Sequence, residues 1–158
     1  MMTIKRRITA LTLVAALALA LQAIAPPFAQ QSRADRGTRP LIGAWQMTSL
    51  EVGTEGNLEP VPYSGQVVFT PSGTMSVQAR NLDPAAPDTP YTLNGYEAFY
   101  GHVDVDRPAG TFVVTVESSL VPALVGQRLT RAFEVKGNTL VLTPPDPSEG
   151  WRATYKRS

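Results

Sequence analysis

The chain has 158 residues, with 14 Lys and Arg against 13 Asp and Glu, one His and no Cys. That length fits one domain, the missing cysteines exclude disulfides and thiolate metal sites, and no basic run beyond the first residues supplies a nucleic-acid footprint. Fourteen prolines and twelve glycines point to short elements joined by many turns.

In chain order, Lys5-Arg6-Arg7 precede an uncharged run from Ile8 to Ala25 built mainly of Leu and Ala. A positive n-region ahead of an apolar h-region reads as a secretory signal. The competing reading is an uncleaved anchor, because the run just reaches the roughly 17–25 residues that span a bilayer. Polar residues follow at once and no second apolar run exists, so the signal is preferred and assigned to residues 1–29. Cleavage follows either Ala25, after Ala23-Ile24-Ala25, or Ala29, since Pro26 hinders the first. Removing this segment takes away Lys5, Arg6 and Arg7 and leaves 11 basic against 13 acidic residues, a charge of −2. Electrostatic steering is therefore not expected to define a partner. The expected location is periplasmic or secreted, without stable membrane association after cleavage. Residues 30–40 are polar, lack an apolar period and read as a flexible leader.

From Leu41 to Ser158 the dominant period is two. Leu41–Glu51 is the first expected strand. Val67 and Phe69, then Met75, Val77 and Ala79, alternate with polar neighbours on either side of Pro71-Ser72-Gly73, so residues 66–79 form a hairpin. Asn81–Pro90 carries three prolines and is expected to be a loop. Tyr96, Phe99 and Tyr100 then stand at i, i+3 and i+4, with Gly101 as a stop, which predicts a short helix within 91–100. Residues 111–117 are β-branched and predict a strand. Residues 129–136 and 139–143 flank Gly137-Asn138, a pair suited to a primed hairpin turn. Trp151, Ala153 and Tyr155 alternate in a last strand. The expected fold is all-β: a closed antiparallel barrel of about eight strands over 41–158, with one short helix in a long loop, since closure removes exposed strand edges.

Several pieces in order resemble the bacterial lipocalin-like domain family of small barrels. Leu41-Ile42-Gly43-Ala44-Trp45 is similar to its opening Leu-x-Gly-x-Trp strand, and Gly65–Val77 to its most recognisable hairpin. Phe99-Tyr100-Gly101 resembles its helix-to-strand junction. Pro122, Gly126, Gln127 and Arg131 with Leu140-Val141-Leu142 resemble its Pro-x-x-x-Gly…Arg…Leu-x-Leu pattern, and Tyr155-Lys156-Arg157 its closing segment. The resemblance covers roughly residues 41–157 and implies a barrel with a cavity. The family often has a histidine in the strand corresponding to 111–117, where Thr115 or its neighbour stands here, and its late tryptophan is replaced by Tyr155, with Trp151 earlier. In lipocalins a last-strand arginine stacks on the first-strand tryptophan, so the resemblance implies a structural pair Trp45–Arg157, worth ~0.5–2 kcal/mol. Arg131 is the rival partner.

His102, Asp104 and Asp106 share one face of a strand; that spacing suits a metal site or acid–base pair, and equally a solvated face with Val103 and Val105 turned inward. The solvated face is preferred, and no metal or cofactor is expected. Arg80, Glu117, Arg128 and Arg131 lie within or beside apolar strands, where an inward charge would be a ligand contact or half of an ion pair. Arg131 shares the inner parity of Leu129, Phe133 and Val135; Glu117 is the one acid read as able to turn inward. Tyr63, Tyr96, Phe99, Tyr100 and Trp151 could rim an apolar pocket or pack a lid onto the core. The ligand-contacting candidates are thus Tyr63, Arg80, Tyr96, Phe99, Tyr100, Glu117 and Arg131. No Gly-x-Ser-x-Gly, cysteine nucleophile or phosphate-binding glycine loop is present.

The leading expectation is a barrel holding a small apolar molecule. Two alternatives come from other classes. One is a cavity enzyme (cyclase, isomerase or hydrolase of an apolar substrate) that depends on an inward acid. The other is a protein-binding or inhibitor module, which requires a filled interior.

Overall fold

A computed structural model describes residues 39–158. The signal segment expected for 1–29, and the leader up to residue 38, lie outside the described residues. The chain runs through nine strands: β1 (Gly43–Thr54), β2 (Asn57–Val61), β3 (Tyr63–Phe69), β4 (Thr74–Asn81), β5 (Tyr96–Asp106), β6 (Thr111–Ser119), β7 (Arg128–Lys136), β8 (Thr139–Thr143) and β9 (Trp151–Arg157). Every pairing is antiparallel, and β3 to β9 follow one another in sheet order. β9 then returns to β1, from Trp45↔Arg157 to Val52↔Trp151, with a bulge between Met47 and Ser49. The result is a closed barrel of eight strands plus one extra strand, β2.

β2 arises because β1 is long. Its second half pairs with β2 (Leu50↔Val61 to Thr54↔Asn57) and its first half with β3 (Gly43↔Phe69 to Gln46↔Gln66). Pro62 separates the two partners, since proline has no N–H to give the ladder.

Alternation buries one face of each strand. Trp45, Val67, Phe69, Met75, Val77, Val103, Phe112, Val114, Val116, Leu140, Leu142 and Tyr155 form most of the core. On β5, Phe99, Gly101 and Val103 are buried, while Tyr100, His102, Asp104 and Asp106 are exposed.

The short helix predicted within 91–100 is not formed; the only helical pieces among the described residues are single 3-10 turns at Pro122–Leu124 and Pro147–Glu149. Tyr96 begins a strand instead. Asn94 (φ 53°) and Gly95 (φ 75°) both take the left-handed region that a type I′ turn requires, and Leu93 and Tyr96 exchange backbone hydrogen bonds across it. Once that turn is set, residues 97, 99, 101 and 103 all face inward. The aromatic spacing at 96, 99 and 100 is therefore split between the two sides of a strand.

The two ends of the barrel differ. At one, β3–β4, β5–β6 and β7–β8 are joined by short turns. At the other lie the long connections 82–95, 120–127 and 144–150.

Candidate functional site

The interior is not filled. A cavity of about 420 Å³ opens toward the long-loop end, within the roughly 300–1,000 Å³ of small-molecule sites. Val67, Met75, Val77, Phe112, Val114 and Leu142 make an apolar wall contributed by four strands. Pro87, Tyr91, Thr92 and Trp151 frame the mouth.

The 82–95 segment reaches the mouth because its polar groups close on one another. Asn81 Oδ1 accepts from the Asp83 amide, and Asp83 Oδ1 from the Ala85 amide. Asp88 accepts from the amides of Asn94 (2.9 Å) and Gly95 (2.8 Å), which holds its carboxyl below the usual range. Thr92, 6 % exposed, takes the Thr89 amide at 2.7 Å. The segment is thus a folded cover built from turns.

The barrel strands bring polar side chains into this apolar space, Tyr63 from β3, Glu97 from β5, Arg131 from β7 and Tyr155 from β9, and Asn81, Thr89, Tyr91, Thr92 and Glu149 add others to the lining. Protein atoms crowd the Glu97 carboxyl, while part of the side chain still borders the open cavity. Burial pushes this carboxyl up to about 7, against the pull of the Arg131 charge. Burial also raises the Tyr155 phenol, with the Glu97 charge adding to it, and raises Tyr63 in the same way. Among the described residues, Glu97 has no hydrogen-bond donor and no cation within ion-pair distance. No fully enclosed polar side-chain atom among them lacks a partner, so the unpaired Glu97 oxygens are open to the cavity rather than sealed in the wall. The Arg131 guanidinium lies 5.4 Å from the Tyr91 ring centre and 5.2 Å from that of Trp151, and its Nη1 donates to the Thr130 carbonyl at 2.8 Å.

Of the residues expected to contact a ligand, Tyr63, Phe99 and Arg131 line the cavity. Arg131 has the inner parity expected for it, and it stacks on aromatic rings rather than pairing with Glu117. The other four do not reach the interior. Glu117 is exposed, because Val114 and Val116 take the inward positions of β6. Arg80 and Tyr96 meet on the outer surface, where Arg80 Nη1 donates to the Tyr96 hydroxyl at 3.1 Å, and Tyr100 is exposed on the same face. Arg128, also exposed, donates to Thr115 Oγ1. His102 Nε2 stands 3.6 Å from Asp104 Oδ1 on the outside, and no metal-holding group of three such side chains exists among the described residues.

Glu97, Tyr91 and Tyr155 were not among the expected contacts. Asn94-Gly95 was the available signal for Glu97, since a tight turn there fixes the parity of everything after it.

Trp45 and Arg157 lie at the opposite end. The Arg157 guanidinium carbon is 4.0 Å from the Trp45 ring centre, and its nitrogens donate to the carbonyls of Ile42 (2.6 Å) and Pro40 (2.9 Å). Trp45 Nε1 donates to the Leu41 carbonyl at 2.6 Å. Comparison with protein-family models and with curated proteins finds no match for this chain.

Proposed function

We propose that this protein is an exported, lipocalin-like barrel that binds a small, largely apolar molecule in its cavity. The observation that carries this reading is an open interior of about 420 Å³ with apolar walls and a few polar groups, Tyr63, Glu97, Arg131 and Tyr155 among them. Burial of ligand surface at roughly 25 cal/mol per Å² supplies affinity, and the polar groups supply orientation. Export rests on Lys5-Arg6-Arg7 and the apolar run behind them. The lipocalin-like assignment rests on the ordered motifs and on the Trp45–Arg157 contact. The open interior speaks against the protein-binding alternative.

A screen of apolar metabolites by thermal shift and native mass spectrometry tests the reading. At least one compound should bind one-to-one, and binding should be lost in Val114→Trp, which fills the wall. A screen without a binder would sink it.

Glu97 also favours a second reading, an enzyme acting on an apolar substrate. A carboxyl poised near 7 inside an apolar cavity suits proton transfer in an isomerisation or cyclisation. Once a ligand is in hand, its chemical change on incubation, abolished in Glu97→Gln with binding retained, distinguishes the two.

A further inference from the structure

The cavity holds one permanent positive charge. Arg131 is the only cation that lines it among the described residues, and a guanidinium does not deprotonate in a protein. Tyr91 and Trp151 fix the guanidinium plane, and a single backbone carbonyl takes one of its N–H groups. Rings and a carbonyl orient the group without neutralising it. A partly desolvated cation with unused donors is costly until an anion arrives, and paired guanidinium N–H groups match a carboxylate.

Resting on the cavity-binding reading above, we propose that the occupant is an amphipathic monocarboxylate. Its head group sits at Arg131 beside Glu97, and its chain lies along the wall made by Val67, Val77, Phe112 and Val114. The guanidinium rests against Tyr91 and Trp151 of the mouth, so the head group stays near the opening and the chain points inward.

Glu97 gives this site its second property. Two carboxylates cannot share one guanidinium in an apolar space unless one of them keeps a proton. Glu97 has no donor of its own and already holds its proton to about neutral pH. In the complex it is the protonated partner, donating an O–H to the bound head group. The other titratable groups around the cavity are Tyr63 from β3, Tyr91 from the 82–95 segment, Glu149 ahead of β9, and Tyr155 from β9, with the Asp88 charge acting on Tyr63. Asp88 already accepts the Asn94 and Gly95 amides, and Arg80 on β4 is turned to the outer surface. Ligand binding therefore takes up a proton, and affinity falls as pH rises through the Glu97 range.

The test titrates the purified protein with dodecanoate, 1-dodecanol and dodecylamine, by calorimetry and tryptophan fluorescence, at about pH 6 and about pH 8. Dodecanoate should bind about tenfold or more tighter than dodecanol at the lower pH, with dodecylamine weakest. Its affinity should drop about tenfold between the two pH values, and Glu97→Gln should flatten that drop. Arg131→Gln should abolish the preference for the acid while still binding dodecanol, which also reports that it is folded. Arg131→Lys should keep part of the preference. If dodecanol matches dodecanoate, or the amine binds tightest, the carboxylate proposal fails while the cavity-binding reading stands. If none of the three binds, both fail.

Discussion

The two ends of this barrel are built from the same strands and have opposite chemistry. At the short-turn end Leu41 and Trp45 are fully buried, and the Arg157 guanidinium lies over the indole, with its nitrogens donating to the carbonyls of Ile42 and Pro40. The indole N–H of Trp45 and both terminal nitrogens of Arg157 have backbone carbonyl partners there. At the long-loop end a second arginine lies on two aromatic rings, but around a cavity and near an acid that nothing pairs. The same arginine–aromatic contact thus serves closure at one end and leaves a charge available at the other. What separates the two cases is whether backbone carbonyls use up the guanidinium donors. Satisfied polar groups specify a structure; unsatisfied ones inside a space large enough for a ligand point to binding.

The contrast can be broken most sharply at the plug. Trp45→Ala should cost about 3–5 kcal/mol of unfolding free energy in urea, the usual range for truncating a buried tryptophan. A loss below about 1 kcal/mol would show that the closed end is not where the fold is anchored. The next effect has the opposite sign. The ordinary carboxyl value of 4.5 applies to Glu97 in the unfolded chain, and about 7 in the folded one. Below pH 4.5 both states are protonated and the residue costs nothing. Between 4.5 and 7 the unfolded chain releases the proton while the folded one keeps it, so stability falls as pH rises; above 7 the penalty is complete. Glu97→Gln should therefore stabilise the protein by roughly 1–3 kcal/mol at about pH 8 and leave it unchanged at about pH 4. A variant that is equally or less stable at both would contradict a desolvated acid at this position. The smallest effect is local. Asp88→Asn removes the charge that receives two amides, and hydrogen exchange at Asn94 and Gly95 should quicken while the global unfolding midpoint stays in place. A shifted midpoint would mean that the cover is part of the core.

The regular part of the barrel was legible because each strand carries its own alternation. Val67 to Ala79 around Pro71-Ser72-Gly73, residues 129–143 around Gly137-Asn138, and Trp151 to Tyr155 all form as read. β2 was not anticipated, because Asn57–Val61 contains Glu59 and Pro60 and becomes a strand only by lying along the far half of β1. The site was less legible than the fold. In Tyr96-Glu97-Ala98-Phe99-Tyr100 aromatics occupy both parities, so composition does not say which face turns inward; the Asn94-Gly95 turn decides it. An acid inside the barrel also runs against the rule that charges face water. Alternation would have placed Arg80, next to inward Ala79, and Glu117, next to inward Val116, on the outside. Arg131 was readable as inward, but its neighbours were not. Tyr91 and Trp151 come from segments that meet only when the barrel closes.

That closure has a kinetic meaning. The seam between β1 and β9 joins residues 99 to 112 positions apart, with the Arg157–Ile42 hydrogen bond spanning 115. No local event can complete the sheet, so the entropy of bringing its two margins together is spent before the last ladder repays it. Until Arg157 reaches Trp45, β1 and β9 each present an unpaired edge, and the half-made sheet can pair with another copy as readily as with itself. The fold is therefore committed late, at its final strand, and shortening the chain by those seven residues would leave an open, association-prone sheet rather than a smaller barrel.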